Sequence, residues 1–159
     1  MAFKINQIKK LNQVYIICQG DDAIDWEASD VEAYRESLDE KHLVAIQGKE
    51  PTRFLCNFEI DAKTASLIED SMIAGMDKSG NIKPGLGNYN LTIVKYVLKD
   101  IKNPDYLKPE EMLTFKRHGD GSVSDETLNQ LARIGVMSEI AGIFIGLTKS
   151  QKNKVDVKN

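Results

Sequence analysis

The sequence predicts an α+β domain, with a small, mainly antiparallel sheet of about four strands in the N-terminal half packed with three to four helices. Two observations predict it. From Pro51 to Ile60, Phe54, Cys56, Phe58 and Ile60 alternate with Arg53, Leu55, Asn57 and Glu59, so one strand has a nearly apolar face and a mostly polar one. Immediately afterwards the period changes, and Ala65, Ile68, Met72 and Met76 recur at the spacing of one helical face, with Asp61 placed to cap the helix.

The remaining elements follow in order. Phe3-Lys4-Ile5 and Val14-Tyr15-Ile16-Ile17-Cys18 flank a turn at Lys9-Lys10-Leu11-Asn12, so residues 2–19 read as a hairpin. Next comes an acidic stretch in which Asp21, Asp22, Asp25, Glu27, Asp30, Glu32, Glu36, Asp39 and Glu40 meet only Arg35. Within it Ser29 and Glu32 have capping-box spacing, which predicts a two-turn helix with Ala33, Tyr34 and Leu38 on its apolar side. Trp26 precedes that helix, either pinned into the domain or as the aromatic anchor of an acidic docking surface. His42 to Gln47 reads as a strand, and Gly48-Lys49-Glu50-Pro51 supplies a turn that would pair it with the strand opening at Arg53.

Residues 77–88 carry three glycines and a proline and predict a long exposed loop. Asn90 then caps a helix whose stripe runs through Ile93, Val94, Val97, Leu98 and Ile101 to a stop at Asn103-Pro104. Pro109-Glu110-Glu111 suits a short helical turn, Met112 to Phe115 fits helix or strand, and residues 118–122 form a break. The last helix opens at Ser124-Asp125-Glu126 and carries Leu128 and Leu131. After a kink or break at Gly135 it continues through Met137, Ile140, Ala141, Phe144 and Leu147. Ile143 and Ile145 make its final turns apolar nearly all round, which implies burial inside the domain or against another subunit. One domain over residues 1–150 accounts for this pattern, and the polar stretch 151–159 reads as a fraying tail.

Composition narrows the function. At 42% hydrophobic and 28% charged the chain is globular, and a net charge of -3 gives no global attraction to nucleic acid. No apolar run is long enough to span a bilayer, and Met1 to Gln7 lacks the apolar core of a secretory signal, so a cytoplasmic setting is expected. Cys18 and Cys56 lie in apolar strand runs and read as small buried hydrophobes; a disulfide would require their strands to face each other.

The chemical motifs fail one by one. Counted from Asp77, a calcium loop needs glycine sixth and glutamate twelfth, where the chain has Ile82 and Asn88. Gly85-Leu86-Gly87 lacks both the preceding buried strand and the third glycine of a phosphate-cradling turn. Cys18, His42, Cys56 and His118 lack the close pairing of a zinc site, and Cys56 shares its strand face with Phe54 and Phe58, which argues against an activated thiolate. Lys95, Lys99 and Lys102 form the solvated side of one helix rather than a nucleic-acid stripe. No catalytic residue, cofactor or metal site is therefore expected.

The order of elements resembles a known group. An acidic lead-in precedes a strand opening Pro51-Thr52-Arg53-Phe54 and a helix, then a second amphipathic helix. The chain closes with Val123-Ser124-Asp125-Glu126-Thr127-Leu128, Ser138-Glu139-Ile140-Ala141-Gly142-Ile143-Phe144 and Leu147-Thr148-Lys149. Over roughly residues 40–150 this resembles small tail and structural-module proteins of tailed bacteriophages, in particular the tail assembly chaperone-like group. The N-terminal hairpin and the glycine loop have no counterpart in that pattern. The resemblance implies a non-enzymatic protein, in the host cytoplasm or the virion, that binds other phage structural proteins, with binding to itself as a homo-oligomer left open. With the apolar last helix, it makes Ile140, Phe144 and Leu147 the expected interface anchors, with Trp26 and the acidic segment as a second surface. A permanent virion subunit and an acidic inhibitor of a host DNA-binding protein are the alternatives.

Overall fold

The computed structural model describes residues 13–74, 87–104 and 113–156. Its centre is strand β4, Arg53–Cys56, which pairs antiparallel with β1, Val14–Ile16, on one side and β5, Leu98–Lys102, on the other. The register places Ile16 opposite Phe54, and Phe54 opposite Ile101. Three large apolar side chains thus form one row across the sheet, and all three are buried. The organising strand is therefore a central one. It ends at Cys56 rather than Ile60: the Asn57 amide donates to Val97 O at 2.8 Å, and its Oδ1 accepts from the Glu59 amide at 2.9 Å.

Between β1 and β4 the chain makes an excursion over residues 17–52. That stretch contains α1, Val31–Ser37, a single 3-10 turn at Glu40–His42, and a two-stranded antiparallel ribbon of β2, Ile24–Asp25, and β3, Val44–Ala45. Ile17, Ile24 and Tyr34 form a small core of their own, with Trp26, Leu38 and Leu43 packed against it. The hairpin expected between residues 42–47 and β4 is not formed. The Ile46 amide donates to Ala23 O at 2.8 Å and the Val44 amide to Ser29 Oγ at 2.8 Å, so the hydrogen bonds of this segment go to residues 23–29. The strands consequently divide into a sheet of three and a ribbon of two. The first half of the expected N-terminal hairpin lies outside the described residues; β1, its second half, pairs with β4.

Serine 29 is also not the cap of α1. Its hydroxyl donates to Asp25 O and accepts from Val44, while Asp30 Oδ1 accepts from the Ala33 amide at 3.1 Å. A capping box and an aspartate one residue later compete for the same helix end, and the ribbon takes the serine.

Helix α2, Ala62–Ala74, behaves as expected at its start, where Asp61 Oδ1 accepts from the Thr64 amide at 2.7 Å. That hydrogen bond holds the Asp61 carboxyl below the usual carboxylate range. Ile68 is buried, with Ala65 and Met72 half-buried beside it; Met76 and residues 77–86 of the expected loop lie outside the described residues, while Gly87 and Asn88, its last two residues, already belong to the next helix.

The next stripe divides between two elements. Helix α3 spans Gly87–Val97, so Asn90 lies within it and does not cap it, and Leu98 begins β5. A bulge explains the misreading. Leu55 faces Asp100 but Cys56 faces Leu98, which leaves Lys99 as the extra residue and turns both Leu98 and Ile101 inward. Two inward residues three apart look helical in sequence, although a bulged strand presents them equally well. Lys95 accordingly lies on α3, whereas Lys99 and Lys102 lie on β5.

Residues 113–117 are neither helix nor strand. Thr127, fully buried, holds them: its hydroxyl donates to Thr114 O at 2.6 Å and accepts from the Lys116 amide at 3.0 Å. The expected turn at Pro109 lies outside the described residues. Helix α4, Asp125–Arg133, is capped by Ser124, whose Oγ accepts from the Thr127 amide at 3.3 Å. Gly135, at φ 77°, then separates α4 from α5, Val136–Asp156, and the two helices meet at a bend of 97°. Among the described residues no single helix is long and apolar enough to cross a membrane. The helix continues to Asp156, through most of the stretch expected to fray. Among the described residues five α-helices accompany the sheets, and Leu128, Leu131, Val136, Ile140 and Ala141 join Phe54 and the α3 residues Ile93, Val94 and Val97 in one core.

At Gly135 only the backbone conformation requires glycine, because an added Cβ would meet nothing within 4 Å. Gly135→Ala should therefore lower unfolding stability by about 1–2 kcal/mol, the strain of alanine in the left-handed region. Urea denaturation checks this; an unchanged midpoint would show that the bend tolerates a side chain.

Candidate functional site

A groove lies between α1 and the first half of α5. Its polar wall is Arg35 and Glu36 of α1, and its floor on α5 is Ser138, Glu139, Gly142, Ile143, Gly146 and Leu147, enclosing about 600 Å³. An ion pair sets the spacing of the two helices: the Arg35 guanidinium pairs with the Glu139 carboxylate, and both side chains are mostly covered. Both Glu139 oxygens also accept from the Gln19 amide, at 2.9 Å each, so α5 is tied to the chain just beyond β1 as well.

Above that tie α5 shows two unlike faces. Met137, Ile140, Ala141 and Phe144 point into the core, while Ser138, Gly142 and Gly146, four residues apart, point outward. Neither helical glycine has a positive φ, and a Cβ on either would meet nothing within 4 Å. Each costs the helix about 1 kcal/mol relative to alanine, with no contact or backbone constraint among the described residues to explain it.

The four expected anchors fall in three places. Ile140 is fully buried and Phe144 is 7% exposed, its ring 6.1 Å from that of Phe58. Both belong to the core and offer almost no surface, which corrects their reading as interface anchors. The apolar spacing of α5 was satisfied by the domain itself. Leu147 is half-buried and lines the groove. Trp26 is half-buried on the small core of residues 17–52, with its indole N–H donating to Asp21 O at 2.9 Å, so it is pinned in place while keeping part of its ring exposed. The sequence signal that went unread is the Ser138-Gly142-Gly146 spacing.

The acidic segment has structural duties alongside its exposure. Asp25 and Asp39 accept from the amides of Ala28 and Lys41, as Asp30 does from Ala33, and Glu40 pairs with Arg53 at 2.9 Å. Asp22, Glu27, Glu32 and Glu36 remain exposed on the outside of this unit.

Reactive groups are sealed. Cys18 and Cys56 are free thiols in the core, and burial pushes both well above the ordinary thiol range. Their strands do pair, but the register sets Cys56 opposite Val14, and Cys18 lies beyond the Ile16–Phe54 pair. His42 sits on the 3-10 turn and His118 on an exposed turn. Among the described residues there is no group of three histidine, cysteine or carboxylate side chains placed to hold a metal. Burial pushes the Tyr34 phenol up to about 12, and its oxygen accepts from the Ile17 amide at 2.8 Å.

Comparison with protein-family models, curated proteins and solved structures finds no match to this chain.

Two substitutions test these placements. Tyr34→Phe leaves the Ile17 amide buried without its acceptor and should cost about 1–3 kcal/mol in urea denaturation. Phe144→Asp places an unpaired charge in the core and should unfold the chain, a loss above about 3 kcal/mol. A folded Phe144→Asp protein by circular dichroism would mean that this side chain faces outward.

Proposed function

We propose that this chain is a non-enzymatic binding protein that engages other structural proteins of a tailed bacteriophage during tail or virion assembly. The observation that carries the binding reading is the groove between α1 and α5. It is open and bordered by two helical glycines that packing among the described residues does not require, which suits an approaching protein backbone better than a small substrate. The deeply buried thiols agree with it, since neither is accessible as a nucleophile. The phage setting rests on the resemblance of residues 40–150, together with the Trp26 and acidic surface as a second contact region.

A second reading, an acidic inhibitor of a host DNA-binding protein, is favoured by the exposed carboxylates of Asp22, Glu27, Glu32 and Glu36 on one small unit. Peptide mass spectrometry on sedimented phage particles and on the soluble fraction of the same lysate tests the proposal. Recovery only in the soluble fraction, bound to a tail structural protein, is the outcome expected of an assembly factor. Abundance in particles would make it a permanent virion subunit. Capture of a host DNA-binding protein instead, with affinity falling steeply as salt is raised, would replace assembly with inhibition.

A further inference from the structure

On the reading that this chain is a binding protein, we propose that the outer edge of β3 takes an extended, basic segment of another protein as a third strand of the ribbon.

Hydrogen bonding within the ribbon opens that edge. The Val44 and Ile46 amides both donate inward, to Ser29 Oγ and Ala23 O, and successive residues of a strand direct their backbone groups to opposite sides. The N–H and C=O of Ala45, between them, therefore face away from β2, the one strand neighbour of β3 among the described residues. Ala45 is exposed, so one donor and one acceptor stand ready for an added strand. Nothing in the sequence guards them. Charge or proline ordinarily blunts an edge, and β5, at the edge of the larger sheet, carries Lys99, Asp100 and Lys102. By contrast, His42-Leu43-Val44-Ala45-Ile46-Gln47-Gly48 contains no proline, carboxylate, lysine or arginine. Apolar surface lies beside the open backbone as well. Val44 is 44% exposed and Ile46 38%, two of the three large apolar side chains exposed among the described residues.

Charge selects the occupant. Asp25 faces Val44 across the ribbon, Glu27 follows in the turn whose Ser29 holds the Val44 amide, and the Asp30 amide donates to His42 O. All three carboxylates are exposed, and none has an ion pair among the described residues. Residues 20–34 contain no lysine or arginine to neutralise them. A segment with basic and apolar side chains satisfies both the carboxylates and the Val44–Ile46 surface. A second copy would set the same acids against each other, so charge opposes self-pairing along β3.

Titration of the full chain with the end-blocked peptide Lys-Val-Lys-Val-Lys-Val-Lys at low salt tests this. The readout is the emission of Trp26, the chain's one tryptophan, which packs on the same small core as Leu43. Emission should change saturably, and hydrogen exchange at the Ala45 amide should slow. The counterpart Glu-Val-Glu-Val-Glu-Val-Glu should bind at least about tenfold more weakly. So should the lysine peptide with an N-methylated backbone, whose charge is unchanged but whose donors are gone. In the protein, Ala45→Pro removes the outward donor and spares the bonds to residues 23–29, while Ile46→Lys guards the edge from an exposed position. Each should keep the circular dichroism of the wild type and lose at least about tenfold in affinity for the lysine peptide. If Ala45→Pro does not fold, Ile46→Lys decides. Wild-type protein that shows no saturable binding, an N-methylated peptide that binds like its parent, or a folded Ile46→Lys protein that binds like wild type would each overturn the proposal. So would a wild-type chain that dimerises through β3 and excludes the peptide. Retention of tail structural proteins on the immobilised chain separates the two readings. An Ile46→Lys chain that loses the peptide but still retains a tail protein leaves assembly standing on another surface. A wild-type chain that binds the peptide and retains no tail protein keeps the β3 site and defeats the assembly reading.

Discussion

The buried carboxylate of Asp21 is the constraint on which the two halves of the architecture depend. Its side chain is all but inaccessible to water, and one oxygen accepts from the Ala23 amide at 2.9 Å while the other accepts from the Thr52 amide at 2.8 Å. Its backbone carbonyl accepts from Trp26 and Ile24, and its own amide donates to Cys18 O. One residue thus joins the end of the β1 segment, the start of the ribbon, the half-buried tryptophan and the entrance to β4. Burial lifts the Asp21 carboxyl above its ordinary range despite the two amide bonds. Because the folded group holds its proton more tightly than the unfolded one, this ionisation favours the fold at low pH. The advantage is lost as pH rises from 3.8, the unfolded value, through the folded one. The carboxylate is retained because nothing else of its size offers two acceptors to two buried amides.

Helix starts and breaks were legible at Asp61, Ser124 and Gly135, though not at Ser29 or Asn90. Asp61 and Ser124 cap helices because a short oxygen-bearing side chain stands directly ahead of a helical apolar pattern, and Gly135 breaks one because it interrupts such a pattern. These are local signals and needed no tertiary context. Pairing was less legible. Residues 42–47 and β4 look like a hairpin in sequence, yet the choice of β2 over β4 depends on Ser29 and Ala23, which are distant in the chain. The passage from α3 to β5 was hidden because a bulge reproduces helical spacing for two residues.

The candidate site was legible only in part, for a physical reason. Apolar periodicity identifies the face of α5 that is buried, and the domain's own core claims that face through Ile140 and Phe144. What the core leaves uncovered is the opposite face, whose mark is smallness rather than hydrophobicity. Hydrophobic patterning does not detect glycine, and the ion pair from Arg35 to Glu139 joins residues far apart in sequence. Leu147 lies at the boundary of the two faces, so it belongs both to the apolar spacing and to the groove lining.

The neck where Asp21 meets Thr52 has a consequence for how the fold can be reached and varied. Residues 17–52 leave the sheet at the end of β1 and return at the start of β4, so the unit is an excursion inserted between neighbouring strands. Closing a loop of that length costs about 2 kcal/mol more entropy than closing a tight hairpin of four residues. The excursion has a small core and mostly local contacts, so it can form early and bring its two ends together before the sheet assembles. Its outer surface, with the exposed acids and the tryptophan edge, is then free to diversify while the neck keeps β1 and β4 in register.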